Sequence, residues 1–197
     1  MPRPLIRNLL ATIVVLGVAI ALIGGAVFSA YTSVSSNDGN QFTAGTIGLS
    51  DNDSGSALFN VSGFVPGDSY TKCLRVDYLS TGGVQSDVHL YGTSGGSLVP
   101  YLDLKVRRGT QPPTSTSGDC TGFTPDATDY NGDGPGVIFA KPLSVFGTDY
   151  TSGTTDPQAS WANGDSAVYE ITITVQNNNA AQGLSASQDF SFEAHNL

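Results

Sequence analysis

Ala167-Val168-Tyr169-Glu170-Ile171-Thr172-Ile173-Thr174-Val175 decides the fold. Tyr169, Ile171, Ile173 and Val175 fall on every second position, with Glu170, Thr172 and Thr174 between them. Successive side chains of an extended chain point to opposite faces, so this spacing predicts a half-buried antiparallel strand. The same period recurs on both sides of it. Residues 187–194 bring Phe190, Phe192 and Ala194 onto one face. Upstream, residues 71–79 set Leu74, Val76 and Tyr78 against Arg75 and Asp77, residues 84–91 repeat the pattern with Val88 and Leu90, and residues 101–108 with Leu102, Leu104 and Val106.

Residues 42–49 and 57–61 are further strand candidates, divided by the turn-forming Asp51-Asn52-Asp53-Ser54-Gly55. Residues 137–146 are apolar around Pro142 and read as an irregular or edge strand, because proline cannot donate to a ladder. The Pro/Thr/Ser/Gly-rich stretch from 109 to 136 is long for a compact domain and calls for a pin or a function. No sustained helical period follows residue 30. About eight or nine short strands joined by Gly, Asn and Asp turns predict an all-β, two-sheet antiparallel sandwich, jelly-roll-like in its winding.

The head of the chain is different. Arg3 and Arg7 precede an uncharged apolar run over 9–23 that ends in Gly24-Gly25, the layout of a secretory signal helix. Val27 and Ser29 suit the pockets of a signal peptidase, which puts the cleavage between Ser29 and Ala30; a cut after Ala26 competes with it. The run through Ala30 is also just long enough to span a bilayer, so a retained anchor is the other reading. The expected organisation is a signal peptide over 1–29, an arm over 30–40 and a sandwich domain over 41–197. The product is expected to be secreted, to the cell surface or extracellular matrix, and to touch membrane only through the uncleaved signal.

Removing 29 of the 197 residues leaves 168, enough for one domain with a real core. Two of the 8 basic residues go with the leader, so 6 face 17 acidic ones and the net charge is −11. Such a surface repels nucleic acid, which is not expected as a partner. Cys73 and Cys120, the only cysteines, are expected to form a disulfide in an oxidising compartment.

Gly24-Gly25 before the cut, the Ala-Tyr start at 30, Phe42-Thr43-Ala44-Gly45-Thr46-Ile47, Val65-Pro66-Gly67-Asp68 ahead of Thr71-Lys72, and Phe190-Ser191-Phe192-Glu193-Ala194 resemble the TasA/camelysin family. These are exported proteins processed by the SipW type of signal peptidase. The resemblance covers the first 79 residues and the carboxy-terminal strand; between them it rests on strand pattern. It implies a jelly-roll subunit of extracellular or biofilm-matrix fibres, a homopolymer with other matrix proteins as further partners. The arm Ala30-Tyr31-Thr32-Ser33-Val34-Ser35-Ser36 of one subunit would complete the sheet of the next. Where that family carries a long helical insertion, this protein has the Pro/Ser/Gly stretch and two cysteines. The alternative function is a monomeric surface module that binds carbohydrate or calcium.

Camelysin has a metalloprotease reputation, yet the two histidines, His89 and His195, form no His-Glu-x-x-His pair. His89 alternates with Val88 and Leu90 and reads as a solvent-facing strand residue. No serine is read as a nucleophile, and no enzyme activity or cofactor is expected. Calcium is the one cation suggested: Asp129, Asn131 and Asp133, with Gly134, match the first half of an Asp-x-Asn-x-Asp-Gly loop. The twelfth position is Ala140 in place of the bidentate glutamate, so a plain surface turn competes. Trp161 with Tyr130 and Tyr150 is a candidate sugar platform, against which stands the commoner role of capping the sandwich.

Overall fold

A computed structural model of the protein describes residues 32–36, 47–53, 58–59 and 65–197. The leader, the junction between Ser29 and Ala30, the arm residues Ala30 and Tyr31, and residues 42–46 of the first strand candidate lie outside the described residues. The described residues hold no α-helix and ten strands: β1 (Thr32–Ser36), β2 (Ile47–Asp51), β3 (Ser69–Ser80), β4 (Ser86–Gly95), β5 (Leu102–Thr110), β6 (Thr124–Pro125), β7 (Val137–Pro142), β8 (Thr154–Thr155), β9 (Ser166–Val175) and β10 (Ser187–Asn196).

Every pairing is antiparallel. One sheet runs β1-β10-β4-β8 and the other β2-β3-β9-β5, with β6 and β7 sharing the far edge of β5. With the short β6 and the edge strand β2 set aside, the first strand pairs with the last in one sheet and the second with the next-to-last in the other. That is the winding of a jelly roll, as the alternation and turn spacing predict.

The alternating residues are the ones that meet between the sheets. Val76, Tyr78, Val88, Val106, Ile171 and Ala194 are completely or almost completely buried, and Leu74, Leu90, Leu104, Tyr169 and Phe192 nearly so. Trp161 plugs one end of the core edge-on to Tyr78, with ring centroids 6.4 Å apart. Phe146 closes another part of it, 5.0 Å from Phe139 and 6.0 Å from Phe190.

Three expectations change in detail. Residues 58 and 59 are not strand; Leu58 is buried and Phe59 approaches Phe190 as loop side chains. The apolar run over 137–146 is a strand only to Pro142, after which a single 3-10 turn, Leu143–Val145, swings Phe146 back into the core. The stretch expected to be free of strand from 109 contributes the end of β5 and the two-residue β6. Cys73 and Cys120 are disulfide-bonded, with Cα atoms 5.1 Å apart. Cys73 has the outward parity of β3 yet is buried, because the loop is fastened over it by this bond and by Gly118 N–H donating to the Cys73 carbonyl at 2.8 Å. In the chain-entropy model a loop of this length stabilises the fold by about 4 kcal/mol.

Candidate functional site

The strand read as a free arm has a seat. β1 lies along the outer edge of β10 with Thr32 opposite His195, Ser33 opposite Ala194, Val34 opposite Glu193, Ser35 opposite Phe192 and Ser36 opposite Ser191. Residues 32–197 form one compact unit, so this strand is the first strand of the roll, whereas the sequence pattern begins the domain at residue 41. β10 is held on its other side by β4 over ten registered pairs. The groups that β1 pairs with are therefore an edge, and an edge of this kind accepts any strand that fits its register.

Beside that edge, on the outer face of the same sheet, the two histidines converge. Tyr150 is stacked between them, with ring centroids 4.1 Å from His89 and 3.6 Å from His195. His89 Nδ1 donates to the Tyr150 carbonyl at 2.8 Å, which leaves Nε2 facing the Thr155 hydroxyl at 3.1 Å and Asp87 Oδ2 at 3.5 Å. His195 Nε2 donates to Glu193 Oε1 at 2.8 Å, while Glu193 Oε2 accepts from the Tyr91 hydroxyl at 2.8 Å. The outward parity expected of His89 holds, but the loop that carries Tyr150 covers it, and its side chain is only 14% exposed. Both ring nitrogens of His89 face protein partners, a poor arrangement for a metal.

A second polar cluster lies inside. Asp156, 3% exposed, accepts from Arg108 Nε at 2.8 Å, the Tyr169 hydroxyl at 2.7 Å, Trp161 Nε1 at 3.0 Å and the Gln158 amide at 2.9 Å. Arg108 spends its other nitrogens on Asp126 at 2.7 Å and Gln158 at 2.8 Å. The Asp156 carboxylate thus ties β5, β9 and the loop over 156–161 together, and Arg108 adds the loop around 126 through Asp126. Burial works against the Arg108 charge, but Asp156 and Asp126 outweigh it and hold the guanidinium above its usual range. Burial, then the Asp156 charge, pushes the Tyr169 hydroxyl well above its ordinary 10.0. Burial and a carboxylate neighbour also raise Tyr91, beside Glu193, and Tyr150, whose hydroxyl donates to Asp87 at 2.7 Å.

These three tyrosines set an expected pH response. Their folded values lie above the unfolded one, so the native state keeps protons that the unfolded protein releases at alkaline pH. Their stabilising contribution is complete below pH 10.0 and falls as pH rises beyond it toward the folded values. Urea midpoints measured from about pH 8 to about pH 12 should decline above roughly pH 10, and Tyr169→Phe should flatten that decline.

Other candidate residues do not come together. Trp161 is fully buried and donates to Asp156, so it cannot share a sugar platform with Tyr130 and Tyr150. In the calcium-like loop, Asp129 Oδ1 accepts from Gly132 N–H at 2.8 Å and Asn131 Oδ1 from Asp133 N–H at 3.1 Å. Both oxygens serve the turn itself. One spelling escaped the sequence reading: Gly92-Thr93-Ser94-Gly95-Gly96 matches the Gly-x-Ser-x-Gly nucleophile turn. Through Gly95 it is continuous strand, and Ser94 Oγ donates to Gln188 Oε1 at 2.7 Å with no histidine partner. Among the described residues the one converging trio of potential metal ligands is Cys73, Cys120 and Glu170, and both sulfurs are in the disulfide.

Residues 4–90 match the family described as camelysin metallo-endopeptidase. This part of the protein is camelysin-like. The camelysin-like part takes in β1, β2, β3 and half of β4, so it includes the edge strand β1, whereas β10, Tyr150, Asp156 and Cys120 lie beyond it. No curated protein matches the sequence. The Asp156 cluster and the covering of His89 had no short motif to announce them; a lone tryptophan in a loop with an Asp-Pro pair was the one signal available.

Proposed function

We propose that the protein is an exported structural subunit of extracellular matrix fibres and that it polymerises by exchanging β1 between neighbours. The observation that carries this is the seat of β1: a five-residue edge strand next to the proposed processing point, paired along the outer side of β10. The strand has the same pairs to make on its own β10 or on another copy's. The tether from Ser36 to Ile47 has ten intervening residues, roughly 35 Å when extended, so the strand can reach a neighbour. Each subunit would donate one strand and accept one, a head-to-tail contact that grows into a filament when it does not close. The camelysin-like match supports the reading, as does the engagement of both histidines in a stack where a hydrolase would need them free. Removal of the leader by a SipW-type signal peptidase would free the strand, and other matrix proteins would be secondary partners.

The intramolecular seat of β1 favours a second reading, a self-completed monomeric surface module. Electron microscopy and size-exclusion chromatography of protein starting at Ala30, beside protein starting at Gln41, separate the two. The Ala30 form should grow filaments slowly. The Gln41 form should not, and it should melt lower because it lacks the first strand of the roll. Equal filament growth by both would eliminate exchange of β1, and an Ala30 form that stays monomeric at every concentration would favour the surface module.

A further inference from the structure

Independently of assembly, the loop over 129–133 brings together the groups for a self-modification. Its neck is closed by Gly136 N–H donating to the Thr128 carbonyl at 2.8 Å, and its tip is exposed. Within it, Asp129 Oδ1 holds the Gly132 N–H at 2.8 Å, and the amide oxygen Oδ1 of Asn131 accepts from Asp133 N–H at 3.1 Å. Gly132 has a φ of 90°, a conformation open to glycine, and no Cβ shields its nitrogen.

We infer that Asn131 is a site of spontaneous deamidation assisted by Asp129. The Asp129 carboxylate takes the Gly132 amide proton as that nitrogen attacks Asn131 Cγ, where the Asp133 N–H stabilises the developing oxyanion. The new N–C bond forms a five-membered imide, the bond from Cγ to Nδ2 breaks, and Nδ2 leaves as ammonia carrying the transferred proton. Water then opens the imide to aspartate or isoaspartate, so no oxidant or reductant is required. The product adds a carboxylate between Asp129 and Asp133.

A second asparagine provides an internal control. Asn163-Gly164 has the same two residues and is also exposed. Its amide oxygen, however, holds the distant Ser80 N–H at 2.9 Å, and Gly164 N–H donates to the Tyr78 carbonyl at 3.0 Å, a neutral group that cannot accept the proton as a base. Exposure does not distinguish the two asparagines; the acceptor facing the attacking nitrogen does.

The test is long incubation of the processed full-length protein in mildly alkaline buffer, followed by peptide mapping that resolves asparagine, aspartate and isoaspartate. Conversion should accumulate at Asn131 and not at Asn163, whereas in denaturant both should convert at similar rates. Asp129→Asn keeps a hydrogen-bond acceptor without the base, and should slow Asn131 conversion by about tenfold or more while leaving the circular dichroism unchanged. The inference is overturned if native Asn163 converts as fast as Asn131, if Asn131 is more resistant in the native protein than in the denatured one, or if Asp129→Asn leaves the rate unaltered.

Discussion

Asp156→Ala is expected to lower the unfolding free energy by about 3–5 kcal/mol, a large part of what holds a domain of this size together. The size of the loss follows from what the carboxylate leaves behind. Arg108 would lose its most buried partner and keep only Asp126 and Gln158, while the Trp161 indole and the Tyr169 hydroxyl would each lose a buried acceptor. Breaking a buried pair from one side costs far more than the pair contributes, because the surviving charge has no water to turn to. The melting temperature should fall by roughly 6–20 °C at the usual scaling for this length. Asp156→Asn, which retains an acceptor oxygen, should cost less. A loss below about 1 kcal/mol for the alanine variant would mean that solvent reaches the site and that the cluster is incidental.

The strands that the sequence announced are those with one wet face and one dry one. In β3, Leu74, Val76 and Tyr78 had to face the core because Arg75 and Asp77 could not, and β4, β5, β9 and β10 obey the same constraint. Where that contrast fades, so does the reading. Leu58 and Phe59 are apolar enough for a strand, but they serve the core as loop side chains. Phe146 belonged to one apolar run with β7, yet Pro142 ends the ladder and a turn intervenes.

The candidate site was legible by halves for a related reason. Thr32-Ser33-Val34-Ser35-Ser36 announces extension, but a segment of small residues carries little to specify its partner; the outer side of β10, left unpaired by β4, decides that. The outward parity of His89 was visible in period two. Its stacking against Tyr150 and His195 was not, because it depends on the register of β4 against β10 and on a loop folded back from residue 150. Asp156 lies in a polar stretch whose spelling resembles any turn, and only the approach of Arg108 and Tyr169 from two different strands makes it a core residue.

The pairing of Ser36 with Ser191 offers the sharpest test of strand exchange, because both residues are small and stand opposite each other in register. Directly opposed residues of antiparallel strands have Cβ atoms roughly 4.5–5.5 Å apart, within the range that a disulfide can draw together by small backbone movement. A Ser36→Cys/Ser191→Cys protein oxidised as a dilute monomer should close the bond within one molecule, fastening β1 to its own β10. The expected outcome is a complete loss of filament growth, with a melting temperature no lower than that of the parent. The same variant assembled first under conditions that keep the new thiols reduced but spare Cys73–Cys120, and oxidised afterwards, should give a ladder of covalent oligomers on a denaturing gel. In a filament built by exchange, Ser36 of one subunit lies opposite Ser191 of the next. Filaments from the pre-locked monomer, or assembled filaments whose oxidation yields only uncrosslinked subunits, would show that β1 stays at home and that another surface joins the subunits.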